Sequence, residues 1–230
     1  MRLLFVRHGE PNYRDDCLTP TGLKQAEACA KRLEHEGITK IYSSPMGRAL
    51  ETARFTSELL DLPIKQLDYM HEISWGSRDG SPLPMDGHPW ALASRLIEEG
   101  DWNFKDDNWR NHPYFRNNLV MDYHDLIVDS IDEFLEKYGY ERYGTRYFCH
   151  FLTDETPVIF SHGGSSGCAI SHIINLPFPY FASIFEYWFT SIIVLEFPDK
   201  PGSIVYPRVR LFNDCAHANK KDTDEVIYKL

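Results

Sequence analysis

Arg7, His8 and Gly9 stand together directly after the apolar run Leu3-Leu4-Phe5-Val6. An arginine presents a planar fork of donors that suits phosphate oxygens, and a neutral imidazole beside it can act as a nucleophile. Glycine at the next position lets the backbone approach a bound group. The same ending recurs far along the chain, where Pro157-Val158-Ile159-Phe160-Ser161 runs into His162-Gly163-Gly164. A third cation, Arg48, lies just after Ser43-Ser44-Pro45, within the first turn or so of a helical segment whose N–H groups also favour anions. Glu72 is an isolated carboxylate in the loop Met70–Gly76. Each residue also has a plainer reading. His8 and His162 could be satisfied core histidines, Arg48 a helix-surface partner of Glu51 or Glu58, and Glu72 a solvated loop carboxylate. Arg54 reads as a surface residue, Glu10 as a cap or a partner of site residues, His71 as pocket or surface, and His172 as structural.

The elements that must hold these groups alternate between short apolar strands and amphipathic helices. Leu3–Val6 is a run of the kind buried on both faces of a parallel sheet. Thr19 reads as an N-cap with Pro20 at the first helical position. Leu23, Ala26, Ala30 and Leu33 follow at helical spacing, with Gly37 closing the helix. Ile38–Ser43 reads as the second strand, Pro45–Leu60 as the next helix and Leu62–Leu67 as a third strand. From 81 to about 121 the periodicity breaks down. Four residues, Pro82, Pro84, Gly87 and Pro89, punctuate this stretch, and Trp90, Trp102, Trp109, Tyr114 and Phe115 enrich it in aromatics, so it reads as an inserted cap with a helix in Trp90–Glu99. Asp122–Tyr138 is an amphipathic helix with Ile127, Ile131, Phe134, Leu135 and Tyr138 on its apolar side. A helix after His162 runs through Cys168, Ile170 and Ile174 until Pro177. Phe189–Phe197 and Ile204–Phe212 read as a hairpin at the sheet edge, and the polar tail from Asn213 as a surface cover. In an open α/β sheet, ligands sit beyond the carboxyl ends of the strands, where both histidine-glycine pairs fall.

Composition narrows the partners. The chain has 230 residues, 43% of them hydrophobic, enough for one large α/β domain or one with an elaborated insertion. A formal charge of -10 argues against a nucleic-acid partner, and requires that any anionic substrate be drawn by a local cluster of cations. No apolar run reaches the ~20 residues of a membrane span, so no membrane partner is expected. The N-terminus carries no secretory leader pattern, and a cytoplasmic location is expected. Cys17, Cys29, Cys149, Cys168 and Cys215 are scattered, without a CxxC pair, and read as free thiols.

Five elements then occur in order: Arg7-His8-Gly9-Glu10, Leu18-Thr19-Pro20-Thr21-Gly22, Ser44-Pro45-Met46-Gly47-Arg48-Ala49-Leu50-Glu51-Thr52-Ala53, Glu72-Ile73-Ser74-Trp75-Gly76 and Ser161-His162-Gly163-Gly164. With them the chain resembles the histidine phosphatase superfamily, of phosphoglycerate-mutase-like fold, over nearly its whole length apart from the inserted segment. The resemblance implies a single domain over 1–230. Its expected form is a three-layer α/β sandwich, with a mainly parallel central sheet, helices on both faces and an aromatic-rich cap. It further implies a phosphomonoesterase that needs neither metal nor cofactor. His8 would form a phosphohistidine, while Arg7, Arg48 and His162 grip the phosphoryl oxygens beside the Gly9 and Gly163 backbone. Glu72 would be the general acid and then the base. The substrate would be a small phosphorylated molecule or a phosphoprotein. Two alternatives stand beside this: a phosphoglycerate mutase, and a catalytically silent module that binds phosphorylated ligands. Departures weigh against the mutase. The loop Pro11–Cys17 is too short for the family's usual phosphate-contacting set, and the arginine-rich stretch that mutases carry after their acidic residue is replaced by Ile73-Ser74-Trp75-Gly76-Ser77-Arg78. A homodimer through the C-terminal hairpin or the cap is left open by the sequence.

Overall fold

The structure, a computed structural model, describes residues 1–100 and 107–218. β1 (Arg2–Arg7) is followed by a small ribbon, β2 (Pro11–Asn12) with β3 (Cys17–Leu18), and then α1 (Pro20–Leu33). Next come β4 (Lys40–Ser43), α2 (Gly47–Leu60) and β5 (Ile64–Gln66). Three helices, α3 (Pro89–Glu99), α4 (Pro113–Arg116) and α5 (Val120–Glu136), lead to β6 (Tyr140–Tyr143) and β7 (Arg146–Cys149). The chain continues through β8 (Pro157–Ser161), α6 (Gly163–Ile173), α7 (Phe178–Ile184), β9 (Ile192–Glu196), β10 (Ser203–Val205) and β11 (Arg208–Asp214). The central sheet has the order β11-β9-β1-β8-β4-β5. Within it β1, β8, β4 and β5 run parallel, β9 pairs antiparallel with β1, and β11 pairs antiparallel with β9 at the edge.

Alternation along the strands divides the apolar residues between two cores, because successive side chains point to opposite faces. Leu4, Val6, Val158 and Phe160 pack with Cys29 and Leu33 of α1 and Ala53 of α2. Leu3, Phe5 and Ile159 pack on the other face with α5, α6 and α7. The result is a three-layer α/β sandwich. All four residues Leu3–Val6 are fully buried, each stabilising the fold by about 1.5–3 kcal/mol.

Local signals explain the helix starts. The Thr19 side chain accepts from Gly22 N, the expected cap, with Pro20 behind it. α1 ends at Leu33 rather than Gly37, and Leu23 is exposed while Cys29 faces the core. α2 begins at Gly47 rather than Pro45, because the Ser44 hydroxyl accepts from Met46 N and holds 44–46 as a turn. β9 and β11 pair at the sheet edge as expected, but the stretch from Ile204 splits. Pro207 interrupts it, and Ser203–Val205 instead joins β7 and β6 in a separate three-stranded sheet that sequence reading did not anticipate. The five cysteines are all free. No helix among the described residues is long and apolar enough to cross a membrane.

The stretch from 81 to 121 contributes a turn of 3-10 helix at Pro84–Gly87, then α3, a second 3-10 turn at Asp107–Asn111, α4 and the start of α5. Trp102, one of its aromatics, lies outside the described residues, as does the tail beyond 218. Trp109 and Phe115 are buried in the main core, whereas Trp90 is partly buried. Asn118, fully buried, ties this segment to the Glu72 loop. Its Nδ2 donates to Gly87 O at 2.7 Å, and its Oδ1 accepts from Val120 N at 3.1 Å and Gly76 N at 3.3 Å. Replacing it strands buried backbone groups, so Asn118→Ala is expected to lower unfolding free energy by about 2–4 kcal/mol in urea titrations, with a change below 1 kcal/mol contradicting that role.

Candidate active site

Strand register brings the two histidines together. β1 and β8 are parallel neighbours with Arg7 opposite Ser161, so the residues that follow, His8 and His162, emerge side by side at the carboxyl edge. Their ring centroids are 5.1 Å apart. β4 lies on the far side of β8, with Ser43 opposite Phe160, and delivers Ser44 and the start of α2 to the same edge. β5 ends beside it, and the chain returns through Met70 to place Glu72 over the N-terminus of α6.

His8 is 1% exposed. Its Nδ1 lies 2.7 Å from Gly9 O, and a carbonyl can only accept, so Nδ1 carries the proton and Nε2 keeps its lone pair. Arg48 Nε donates to that Nε2 at 3.3 Å. Burial first, then Arg7, push the His8 pKa down to about 3, with Arg48 acting in the same direction and the Gly9 bond opposing them. His8 is therefore a neutral imidazole at physiological pH with its nucleophilic nitrogen turned toward cations. His162 is fully buried, and burial, His8 and both arginines drive its pKa far down as well. Its Nε2 meets Ser44 Oγ at 2.7 Å, while its Nδ1 has no hydrogen-bond partner.

The guanidiniums are fixed from one side each. Arg7 stacks over Phe189, its Cζ 4.4 Å from the ring centre, and donates from Nη1 to Tyr187 O, whereas its buried Nε has no partner. Arg48 is not the surface partner of Glu51 or Glu58. It is 4% exposed, and its Nη1 bonds Asp16 Oδ1 at 2.5 Å. The other Asp16 oxygen accepts from Gly47 N at 2.7 Å. Thus the short loop after the first motif supplies a carboxylate that holds Arg48 and the first turn of α2. Tyr13 of the same loop lies 5.5 Å from the Arg48 Cζ.

Glu72 Oε1 accepts from Ile73 N, Gly164 N and Ser165 N at 3.0, 3.0 and 3.2 Å. The last two amides belong to the first turn of α6, an arrangement that favours a carboxylate. Burial outweighs these bonds and the two arginines, and the Glu72 pKa is raised. Gly163 and Gly164 form the turn between the groups.

A cavity of about 500 Å³ opens above this cluster. Arg7, Glu72, Gly163 and Gly164 form its polar side, while His8, Arg48 and His162 lie beneath and are not among its lining residues. Its walls are aromatic: Trp75, Trp90, Phe178, Phe181, Tyr187 and Trp188. The remaining sequence candidates fall outside. Glu10 accepts from Thr19 Oγ1 at 2.6 Å at the start of α1, Arg54 pairs with Glu58 on the surface, and His172 bonds Asp132 on the far side of α6. His71 sits edge-on to Tyr123. Asp16, Ser44, Phe189 and the Tyr187 carbonyl escaped sequence reading. Only Ser44 had a signal, as a polar residue at a strand end.

Residues 3–108 match the family described as histidine phosphatase superfamily (branch 1). The chain is thus similar to that superfamily over this stretch. It is also 25% identical over 187 residues to a probable phosphoglycerate mutase, GpmB, of Yersinia pestis, covering 77% of this chain and 76% of that one. The fold is shared with solved structures that include two phosphatases. One is a phosphoserine phosphatase from Entamoeba histolytica in complex with 3-phosphoglyceric acid, with TM-score 0.63 and 20% identity over 95% of this chain and 99% of that one. The other is a mycobacterial glucosyl-3-phosphoglycerate phosphatase, with TM-score 0.62 and 21% identity over 92% and 98%.

The glycine pair gives a sharp test of the Glu72 placement. A methyl group on Gly164 would sit 2.4 Å from Ile73 Cγ1 and 2.6 Å from Glu72 Oε1, whereas one on Gly163 meets nothing nearer than Arg7 at 3.7 Å. Gly164→Ala is expected to cut turnover of a phosphomonoester by at least about 100-fold through displacement of the carboxylate, and Gly163→Ala by less than about 10-fold. Steady-state kinetics of the two purified variants checks this, and equal losses would contradict it.

Proposed function

We propose that this protein is a metal-independent phosphomonoesterase that works through a phosphohistidine on His8. The observation that carries the reading is a neutral His8, its Nε2 lone pair fixed by the Nδ1 bond to Gly9 O, beside Arg7, Arg48 and His162. His8 Nε2 attacks phosphorus in line as the ester P–O bond breaks. Arg7, Arg48 and the His162 ring take the charge spreading over the non-bridging oxygens. An alkoxide leaves poorly, and Glu72, whose pKa burial raises in favour of the acid form, gives it a proton. The resulting carboxylate then takes a proton from water as that water attacks phosphorus, the P–N bond breaks, and inorganic phosphate and neutral His8 are released. The phosphatase names of the fold's solved relatives support the same reading.

Hydrolysis of p-nitrophenyl phosphate in excess EDTA tests it, with turnover expected in the intact protein and none in His8→Ala. Persistence of turnover in that variant would sink the proposal. Glu72→Gln separates the acid from the nucleophile. It is expected to lower kcat/KM for an alkyl phosphate by about 10²–10⁴-fold, and that for the nitrophenyl ester by at least tenfold less, since nitrophenolate leaves without a proton. The sign of the pH dependence follows from the raised Glu72 pKa. With the alkyl ester kcat/KM should fall as pH rises through that pKa and the acid form is lost, and this limb should vanish in Glu72→Gln.

A further inference from the structure

The cavity above the phosphate-binding groups says what the ester's other half must be. Among the described residues that line it, Arg7 is the one lysine or arginine, and it belongs to the phosphate floor. The second basic group in the wall, His88, packs edge-on against Trp75 at 4.8 Å, and burial lowers its pKa and so disfavours the charged form. Among the described lining residues, a substrate's carboxylate or second phosphate finds no further lysine or arginine to receive it. Instead the walls present Trp75, Trp90, Phe178 and Trp188. Trp75 and Trp90 meet edge to face at 6.0 Å, and Trp90 meets Phe178 in the same way at 6.5 Å, a continuous aromatic surface built from three separate parts of the chain. At the rim stands Glu186, an exposed carboxylate for which the structure records neither an ion pair nor a hydrogen bond. Aromatic faces attract cations as well as rings, and an unpaired carboxylate beside them adds to that preference.

We propose that this cavity selects phosphate monoesters of aromatic alcohols that carry an amino cation, and discriminates against those that carry a second anion. The inference rests on the phosphatase reading for the identity of the phosphate end. The aromatic ring lies against Trp75 and Trp90, the phosphate meets Arg7 on the floor, and the ammonium group reaches Glu186. The same physics disfavours 3-phosphoglycerate, whose carboxylate would meet Glu186 and the indoles.

Three esters that differ by no more than two heavy atoms test the charge: O-phosphotyramine with an amine, 4-ethylphenyl phosphate without charge, and 4-(carboxymethyl)phenyl phosphate with a carboxylate. The expected order of kcat/KM is amine, neutral, carboxylate, with at least a tenfold span, and 3-phosphoglycerate below all three. Glu186→Lys, at an exposed position with no recorded ion pair or hydrogen bond, is expected to reverse the order of amine and carboxylate. Calorimetric binding of the same esters to His8→Ala should give the same order without turnover. Absence of turnover of every ester by the intact protein, with the binding order preserved, would sink the phosphatase reading and leave the pocket assignment standing. A carboxylate ester equal to or better than the amine in both assays, or no effect of Glu186→Lys on their ratio, would overturn the pocket assignment.

Discussion

His8 carries no charge, in part because its ionised neighbours Arg7 and Arg48 are both guanidiniums, and the rest of the structure depends on that condition. A protonated imidazole there would repel Arg7 and Arg48 and lose the lone pair that makes it a nucleophile. Burial and the two cations together keep the ring neutral, and the Gly9 carbonyl decides which nitrogen keeps the proton. One backbone hydrogen bond thus sets tautomer and orientation, while burial and the arginines set the charge state.

The sheet supplies the geometry for this arrangement. Parallel neighbours β1 and β8 end in register, so two histidines separated by most of the chain become adjacent. The next parallel strands bring Ser44, Arg48 and finally Glu72 to the same edge. A body with a formal charge of -10 repels anions at long range, and the attraction is confined to this edge, where low exposure makes it strong. Asp16 qualifies the picture, because it already occupies one side of the Arg48 fork. It locks the guanidinium in place and removes part of its charge, leaving Arg7 with its unpartnered Nε as the less compensated cation. Glu72 is held in the opposite sense, by three amides that favour its ionised form against a burial that favours the acid. A group poised between these influences suits proton transfer in both directions.

Much of this was legible in the sequence, for reasons that are local. Apolar runs that stop at histidine-glycine mark strand ends, Thr19-Pro20 marks a helix start, and motif order carried the family resemblance. Ser44 could be read only as a cap, because its contact with His162 depends on how β4 and β8 align. Asp16 looked like one acidic residue among several in a loop, and its role appears only when that loop folds back on Gly47. The sheet that Ser203–Val205 forms with the hairpin Tyr140–Cys149 was missed since that pairing spans more than fifty residues and Pro207 disguises the boundary. Aromatic residues gave the least information: Trp109 and Trp90 belong to the same stretch and both contact Phe178, yet Trp109 is enclosed by Phe115 and His124 while Trp90 meets Trp75 and His88 in the pocket wall.

The central claim is the protonation state of one ring, and nitrogen-15 NMR of labelled His8 reads it directly. The account predicts a neutral imidazole with the proton on Nδ1, persisting from pH 8 down to about pH 4 in the free protein, as befits a pKa pushed down to about 3. A ring that titrates near its ordinary value of about 6.5, or one found with its proton on Nε2, would contradict it.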